Sequence, residues 1–155
     1  MKIASAFAII FGLILAAPCL QASAIESLAE GTQLNIDQML SIAEKQHEIA
    51  KLLIKEGRFE RVLPEMRKIL NLNLQGEYEQ AVAKSASYIA YLLAENKQYA
   101  LGHELLDEAI AKMQQPENVA LLLKTRAIIY KFQGKLREAI ETLERAVQIE
   151  KQGAQ

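Results

Sequence analysis

The amino-acid sequence predicts an all-α protein. Its apolar residues recur at the spacing of a helix face, and the one stretch that alternates at period two, residues 70–74, is too short to build a sheet. Breaks between the periodic segments fall at glycine and proline, notably Gly57, Pro116 and Gly134. Helices are therefore expected at about 37–55, 58–70, 77–96, 98–113, 118–132 and 135–150. Their short connections predict three antiparallel helix pairs.

The N-terminus has the three parts of a secretory signal peptide. Lys2 supplies a positive charge, residues 3–20 carry no charged side chain, and Ala22-Ser23-Ala24 has a small residue on each side of Ser23. This order predicts a signal peptide over residues 1–24 that is cleaved after Ala24. A bacterial periplasm is the favoured destination, since the sequence has no Asn-X-Ser/Thr acceptor for N-glycosylation.

Two other interpretations of this segment stay open. Residues 3–24 approach the length of a spanning helix, which would make them an uncleaved inner-membrane anchor. Acylation of Cys19 would make a lipoprotein, although Pro18 directly before it is a poor fit. Cys19 is the only cysteine, so cleavage would leave a mature protein without disulfides or thiol chemistry.

The rest of the chain is expected to form one domain. Residues 25–36 are predicted to be an irregular leader, residues 37–150 a helical domain, and residues 151–155 a short tail. Such a length suffices to bury a core. The net charge of −1 at pH 7 gives no support to nucleic-acid binding.

The helix pairs repeat one pattern of small and large residues. In the last pair it comprises Ala127, Tyr130, Gly134, Leu136, Ala139, Leu143 and Ala146. The middle pair has Ala90, Leu93, Lys97, Tyr99, Gly102, Leu106 and Ala109, and the first has Ala50, Leu53, Gly57, Phe59, Val62, Met66 and Ile69. Small residues such as Ala90 with Gly102, or Ala127 with Ala139, would let the two helices of a pair cross closely.

This pattern resembles the tetratricopeptide-repeat (TPR) family, with three degenerate repeats within residues 43–150. The resemblance implies a right-handed helical-hairpin solenoid of three antiparallel pairs that binds proteins. The first repeat departs from the pattern, because Val62 and Ile69 are bulky and Pro64 lies inside its second helix. A kink or a delayed helix start would accommodate this proline.

In TPR proteins the first helix of each pair lines a concave groove. Carried onto this sequence, the resemblance implies groove positions at Glu44, His47, Lys51, Lys84, Ser87, Tyr91, Leu121, Lys124 and Ile128. Lys55 and Lys131 extend the same face, and Ile54 joins Tyr91 and Ile128 as its apolar base. The lysines and apolar residues predict a protein partner, an acidic peptide or helix with apolar anchors.

Patterns typical of catalysis, cofactor binding or metal binding are missing from the sequence. Glu44 and His47 have a ligand spacing that metal-binding helix bundles use in two copies, and it occurs singly here. No phosphate-binding loop or nucleophile elbow is found. We therefore expect no enzyme, cofactor or metal site, and exposed positions for His47 and His103.

The leading interpretation is an exported adaptor or scaffold of the cell envelope that binds a protein partner in its groove. The alternative is a structural subunit that forms homo-oligomers through its uncapped terminal helices. The last helix favours this alternative through a wide apolar stripe, which comprises Leu136, Ile140, Leu143, Val147 and Ile149. A membrane partner is expected only if the N-terminal segment stays uncleaved.

Overall fold

The computed structural model describes the backbone of residues 18–153 and the side chains of residues 36–153. Within this range the chain is helical and has no strand, which confirms the predicted all-α class. The described helices are α1 (Pro18–Lys55), α2 (Val62–Leu70), α3 (Glu79–Glu95), α4 (Tyr99–Ile110), α5 (Pro116–Phe132) and α6 (Leu136–Gly153). None of them is long and apolar enough to cross a membrane.

The chain divides into two units, Met1–Gln38 and Met39–Gln155. Residues 1–17, and with them most of the predicted signal peptide, lie outside the described residues. From Pro18 the backbone is helical, so residues 25–36, expected as an irregular leader, belong to α1. Gly31 disfavours a helix by only about 1 kcal/mol, and its neighbours Ala29 and Glu30 are good helix formers. At the other end α6 includes residues 151–153 of the expected tail.

Helices α1, α3 and α5 end in the same backbone motif. Gly57, Lys97 and Gly134 have φ values of 73°, 61° and 72° in the left-handed region. In each case this residue donates its N–H to the carbonyl three positions back, at 2.9–3.0 Å, and the next residue donates to the carbonyl five positions back, at 2.8–2.9 Å. This double hydrogen bond is the Schellman motif, which satisfies the last carbonyls of a helix and reverses the chain.

The start of α2 explains how Pro64 is tolerated. A 3-10 turn at Phe59–Arg61 precedes the helix, and α2 begins at Val62. Pro64 therefore lies in the first helical turn, where its missing N–H would have no intrahelical acceptor. The delayed helix start expected from the sequence is observed.

The main core is formed by apolar side chains from α1 to α5. Fully buried examples from successive helices are Ala50, Met66, Ile89, Leu106 and Ile129. Buried aliphatic side chains of this kind supply the main stabilisation of a chain without disulfides. A second, smaller cluster joins α5 to α6 through Ala120, Leu123 and Ala146.

The crossing of α3 and α4 is as close as the repeat pattern predicts. A methyl group placed on Gly102 would lie 3.2 Å from the carbonyl oxygen of Ala90 and 3.0 Å from Cδ1 of Ile129. Both distances are shorter than ordinary van der Waals contact, so a larger residue does not fit without movement. Ala127 and Ala139, the corresponding residues of the last pair, are 1% and 3% exposed.

A buried carboxylate connects the start of α3 to the start of α5. Glu79 is 1% exposed, and its Oε1 accepts hydrogen bonds from the backbone N–H groups of Gln114 and Gln115 and from Nδ2 of Asn118, at 2.9–3.1 Å. Burial alone would raise the pKa of Glu79, but the three donors together lower it below its ordinary value. This carboxylate thus holds the end of the α4–α5 connection against the start of α3.

Candidate functional site

The predicted groove face is formed where α1, α3 and α5 lie beside one another. Nδ1 of His47 on α1 lies 2.7 Å from Oγ of Ser85 on α3. Oγ of Ser87, on the same helix, lies 2.5 Å from Oγ1 of Thr125 on α5. Because the Thr125 hydroxyl donates to the carbonyl of Leu121, the Ser87 hydroxyl is the donor in the pair with Thr125. Two side-chain hydrogen bonds therefore fix the spacing of these three helices.

The first depression on this face lies between α1 and α3 and has a volume of about 370 Å³. Its apolar lining includes Leu40, Ala43, Ile69, Leu74 and Val82. Its polar lining comprises Glu44, His47, Lys84, Ser85 and Tyr88. An apolar floor with a few polar groups at the edge is typical of sites that hold an apolar side chain or small ligand.

The second depression lies between α3 and α5 and has a volume of about 220 Å³. It is lined by Lys84, Ser87, Tyr88, Tyr91, Leu121, Thr125 and Ile128. Five of these residues are groove positions implied by the repeat resemblance. Lys84 and Tyr88 line both depressions, so the two adjoin along α3.

The three central lysines of the groove differ in their partners. Nζ of Lys51 lies 2.7 Å from Oε1 of Glu48, and Nζ of Lys124 lies 2.5 Å from Oε1 of Glu150. The hydrogen bond that Lys51 donates to Glu48 raises the pKa of Lys51 and lowers the pKa of Glu48. Nζ of Lys84, by contrast, donates to the neutral amide oxygen of Gln80 at 3.2 Å. Among the described residues, Lys84 thus has no ion-pair partner at the point where the depressions meet. Lys55 and Lys131 are exposed farther along α1 and α5.

The surroundings of His47 favour the neutral form of its imidazole. Burial lowers the pKa of His47 from its ordinary value, the charge of Lys51 lowers it further, and the charge of Glu48 opposes both. The ring lies 5.8 Å from that of Tyr88, centroid to centroid. His47 was expected to be exposed but is half-buried, and so is His103, whose Nε2 lies 3.1 Å from Oε1 of Gln133.

An aromatic and aliphatic ridge borders the second depression. The hydroxyl of Tyr91 donates to Glu95 at 2.7 Å, which raises the pKa of this tyrosine, and its ring lies 5.9 Å from that of Phe132. Tyr88, Phe132 and Ile128 are 47%, 45% and 38% exposed. Large apolar side chains with this much exposure are the ones that a partner can cover.

One predicted groove residue has to be reassigned. Ile54 was expected to support the groove, but it is 6% exposed and belongs to the main core. It follows Ala50 by four residues, so both side chains lie on the buried face of α1. Of the groove residues proposed from sequence, Ile54 is therefore unsuited to contact a partner.

Three polar residues of the site, Ser85, Tyr88 and Thr125, are not among the positions predicted from sequence, and neither is the apolar floor of the first depression. Tyr88 follows Lys84 by four residues and precedes Tyr91 by three, which places all three on one helix face. The spacing alone therefore indicates that Tyr88 lies on the predicted groove face. Ser85 and Thr125 are recognised only through their hydroxyl partners on a neighbouring helix.

The arrangement suits non-covalent recognition. Ser85 lies in the interior of α3, where the backbone N–H groups donate within the helix, so none beside it is free to stabilise an oxyanion. Within the described residues, no group of three or more His, Cys, Asp or Glu side chains could hold a metal ion. The site offers an apolar floor, hydroxyl groups, the imidazole of His47, the carboxylate of Glu44 and the ammonium group of Lys84.

Comparison with protein-family models, with curated proteins and with solved structures found no match for this chain.

Proposed function

We propose that this chain is an exported, TPR-like helical-hairpin adaptor that binds a segment of another protein along α1, α3 and α5. It acts by recognition, not by catalysis. The observation that carries the proposal is the pair of adjoining depressions on the predicted groove face, which meet at Lys84 and Tyr88.

The repeat assignment is supported by equivalent positions in the three helix pairs. Gly57, Lys97 and Gly134 occupy one position of the pattern and share one backbone conformation with the same two hydrogen bonds. The small residues Ala50, Ala90 and Ala127 occupy another position, and each is at most 1% exposed. Recurrence of turn geometry and burial at one register is what stacked helical repeats require.

The chemistry of the two depressions defines the partner. The first has room for one large aliphatic or aromatic side chain, with His47 and Ser85 available for a hydrogen bond. The second offers a shallower apolar contact on Tyr91 and Ile128. Lys84 between them would attract a carboxylate, whereas Lys51 and Lys124 already have acidic partners in this chain. The expected ligand is therefore a peptide or helix with two apolar anchors and an acidic residue between them.

Export is the second part of the proposal, with a bacterial periplasm as the favoured compartment. It is supported by the order of charge, apolar segment and Ala-Ser-Ala site within residues 1–24. Mass spectrometry of the protein from its native host should find Ile25 as the N-terminal residue in a fraction released without detergent. An intact Met1 in the membrane fraction would favour the anchored alternative.

Binding can be tested without knowledge of the natural partner. A displayed library of random peptides is selected on the purified protein, and the enriched peptides are synthesised and titrated. We expect an acidic residue between large apolar residues in the enriched sequences. Their affinity should fall with added salt, because exposed charge pairs are screened over about 10 Å at ~0.1 M ionic strength.

Two groove variants and one matched control decide where these peptides bind. Lys84→Glu should weaken binding at least tenfold, chiefly through slower association, and Tyr88→Ala should shorten the lifetime of the complex. Lys112→Glu makes the same charge change on an exposed residue after α4, outside both depressions, and should have little effect. Peptides that bind equally to all three variants would refute the groove assignment.

A further inference from the structure

The apolar residues of α6 are distributed in the opposite way from those of a normal surface helix. Its buried residues are the small side chains Ala139 and Ala146. Four larger ones point to solvent, with Leu136 63%, Ile140 58%, Leu143 40% and Val147 44% exposed, whereas Ile149 is partly buried against the smaller cluster. A helix that packs on α5 through alanines and exposes branched aliphatic residues has a second face suited to another helix.

The exposed residues follow the spacing of a coiled-coil seam. Leu136, Ile140, Leu143 and Val147 are separated by four, three and four residues, which corresponds to positions d, a, d and a of a heptad. Ala139 and Ala146 then occupy the g positions within this stretch, on the flank that packs against α5. The other flank, position e, is occupied by Arg137, Glu144 and Lys151, all exposed.

The charges on this flank select a partner and an orientation. Within the described residues, Arg137 and Glu144 form no ion pair. When two copies of α6 lie antiparallel with Ile140 opposite Leu143 of the other copy, Leu136 comes opposite Val147 in the same way. All four apolar residues are then covered in symmetric layers. In this register Arg137 of each copy meets Glu144 of the other, because e positions face one another across an antiparallel pair.

We propose that α6 is a homodimerisation helix that pairs with α6 of a second copy, antiparallel and related by a two-fold axis. Such an interface is isologous, since the same patch serves both subunits and the assembly closes at two copies. It leaves the two depressions on α1, α3 and α5 free, so the dimer would present two groove faces. The inference does not depend on what those faces bind.

A second exposed stripe, on α1, provides a matched control. It consists of Ile42, Ile49 and Leu52, and Lys45 occupies the seam position between the first two. A single contact of α6 with α1 of another copy would be heterologous and would build rings or open chains instead of a two-fold dimer. Leu52 and Ile140 are 57% and 58% exposed, so substitution of either by glutamate disturbs the folded monomer to a similar, small extent.

Sedimentation equilibrium of the full chain tests whether the protein forms dimers. A reducing buffer keeps Cys19 from forming disulfides. We expect a reversible monomer–dimer equilibrium at micromolar concentration that stops at two copies. Ile140→Glu should abolish dimer formation, and Leu52→Glu should leave it unchanged. A monomeric wild-type protein up to several hundred micromolar would overturn the proposal, and so would loss of association in Leu52→Glu.

The orientation is tested by reversing charges. Arg137→Glu alone and Glu144→Arg alone should each weaken dimerisation at least tenfold, since each homodimer then has like charges opposite one another. The double variant Arg137→Glu/Glu144→Arg should regain wild-type affinity. The two single variants, mixed, should form a heterodimer, because glutamates of one chain then face arginines of the other.

A parallel pair would respond differently, since its e positions face the alanines at g. Single reversals that leave dimerisation unchanged would therefore refute the antiparallel arrangement. Far-UV circular dichroism of each variant at low concentration verifies that the monomer is still folded. A dimer that persists in Ile140→Glu would show that another surface associates and would also refute the proposal.

Discussion

At the scale of single residues, the turn between α3 and α4 holds Lys97 at a φ of 61°, a conformation that strains any side chain with a Cβ. Glycine stands at the matching position of the other two turns. We expect Lys97→Gly to raise the free energy of unfolding by about 1 kcal/mol. Chemical denaturation of the wild type and the variant measures this difference in free energy of unfolding, provided that both have the same m-value.

The reverse substitution is the control for this prediction. Gly134→Lys should lower the free energy of unfolding by about 1 kcal/mol, again through backbone strain. A Cβ at Gly134 would meet no atom within 4 Å, so no steric contact contributes. If Lys97→Gly lowers stability, the left-handed turn is not the strained feature that we describe.

The buried carboxylate of Glu79 makes the stability of the fold depend on pH. Its pKa is lowered in the folded state, so the unfolded chain binds the proton more tightly. The stabilisation is therefore fully present above the ordinary carboxyl pKa and is lost as the pH falls through the lowered, folded-state pKa. We expect the free energy of unfolding of the wild type to fall in this acid range more steeply than that of Glu79→Gln.

Removal of the Glu79 side chain tests the same contact at neutral pH. Glu79→Ala should cost about 3 kcal/mol, because one buried and two partly buried donors lose a charged acceptor. Glu77→Ala, an exposed change two residues away, should cost little. Equal unfolding midpoints for the two alanine variants would contradict the assigned role.

At the scale of helices, the α3–α4 crossing depends on the absence of a side chain at Gly102. In an unhindered helix, Gly→Ala stabilises by about 1 kcal/mol. Here we expect Gly102→Ala to destabilise by about 1–3 kcal/mol, since the methyl group would lie 3.2 Å from a backbone oxygen of Ala90. Adding Ile129→Val should restore only part of the lost stability. It removes the contact of the new methyl group with Cδ1 of Ile129 but leaves the contact with the carbonyl oxygen of Ala90. Thermal unfolding of the two variants distinguishes these outcomes.

The helices could be predicted from sequence because their ends depend on local chemistry. Gly57, Pro116 and Gly134 determine breaks through their own backbone preferences, so the structure and the prediction agree there within a few residues. The helical backbone of residues 25–36 departs from the predicted irregular leader, because the single glycine of that segment, Gly31, weakens a helix only slightly.

Site geometry was less predictable, because it depends on contacts between distant parts of the chain. His47 is half-buried owing to Ser85 and Tyr88, and His103 owing to Gln133 and Tyr130. Nothing near either histidine in sequence identifies these partners. The burial of Ile54 likewise depends on how far the core extends around α1, which helical periodicity alone does not determine.

At the scale of the whole molecule, stability is not expected to be uniform along the chain. Helices α1 to α5 share the main core, whereas α6 is attached through Ala139 and Ala146 and a small cluster on α5. Because local opening is easier where few apolar side chains are buried, α6 should open before the other helices.

Hydrogen exchange measures this difference, and the monomeric variant Ile140→Glu separates folding from association. In that variant the amides of residues 139–148 should exchange faster than those of α3, whose Ile89, Ala90 and Leu93 are fully buried. In the wild type, protection of residues 139–148 should rise with protein concentration as α6 becomes covered, while protection of α3 stays constant. Protection of α6 that equals that of α3 in the variant would mean that all helices open together. Protection that is independent of concentration in the wild type would mean that α6 is not the surface through which two copies meet.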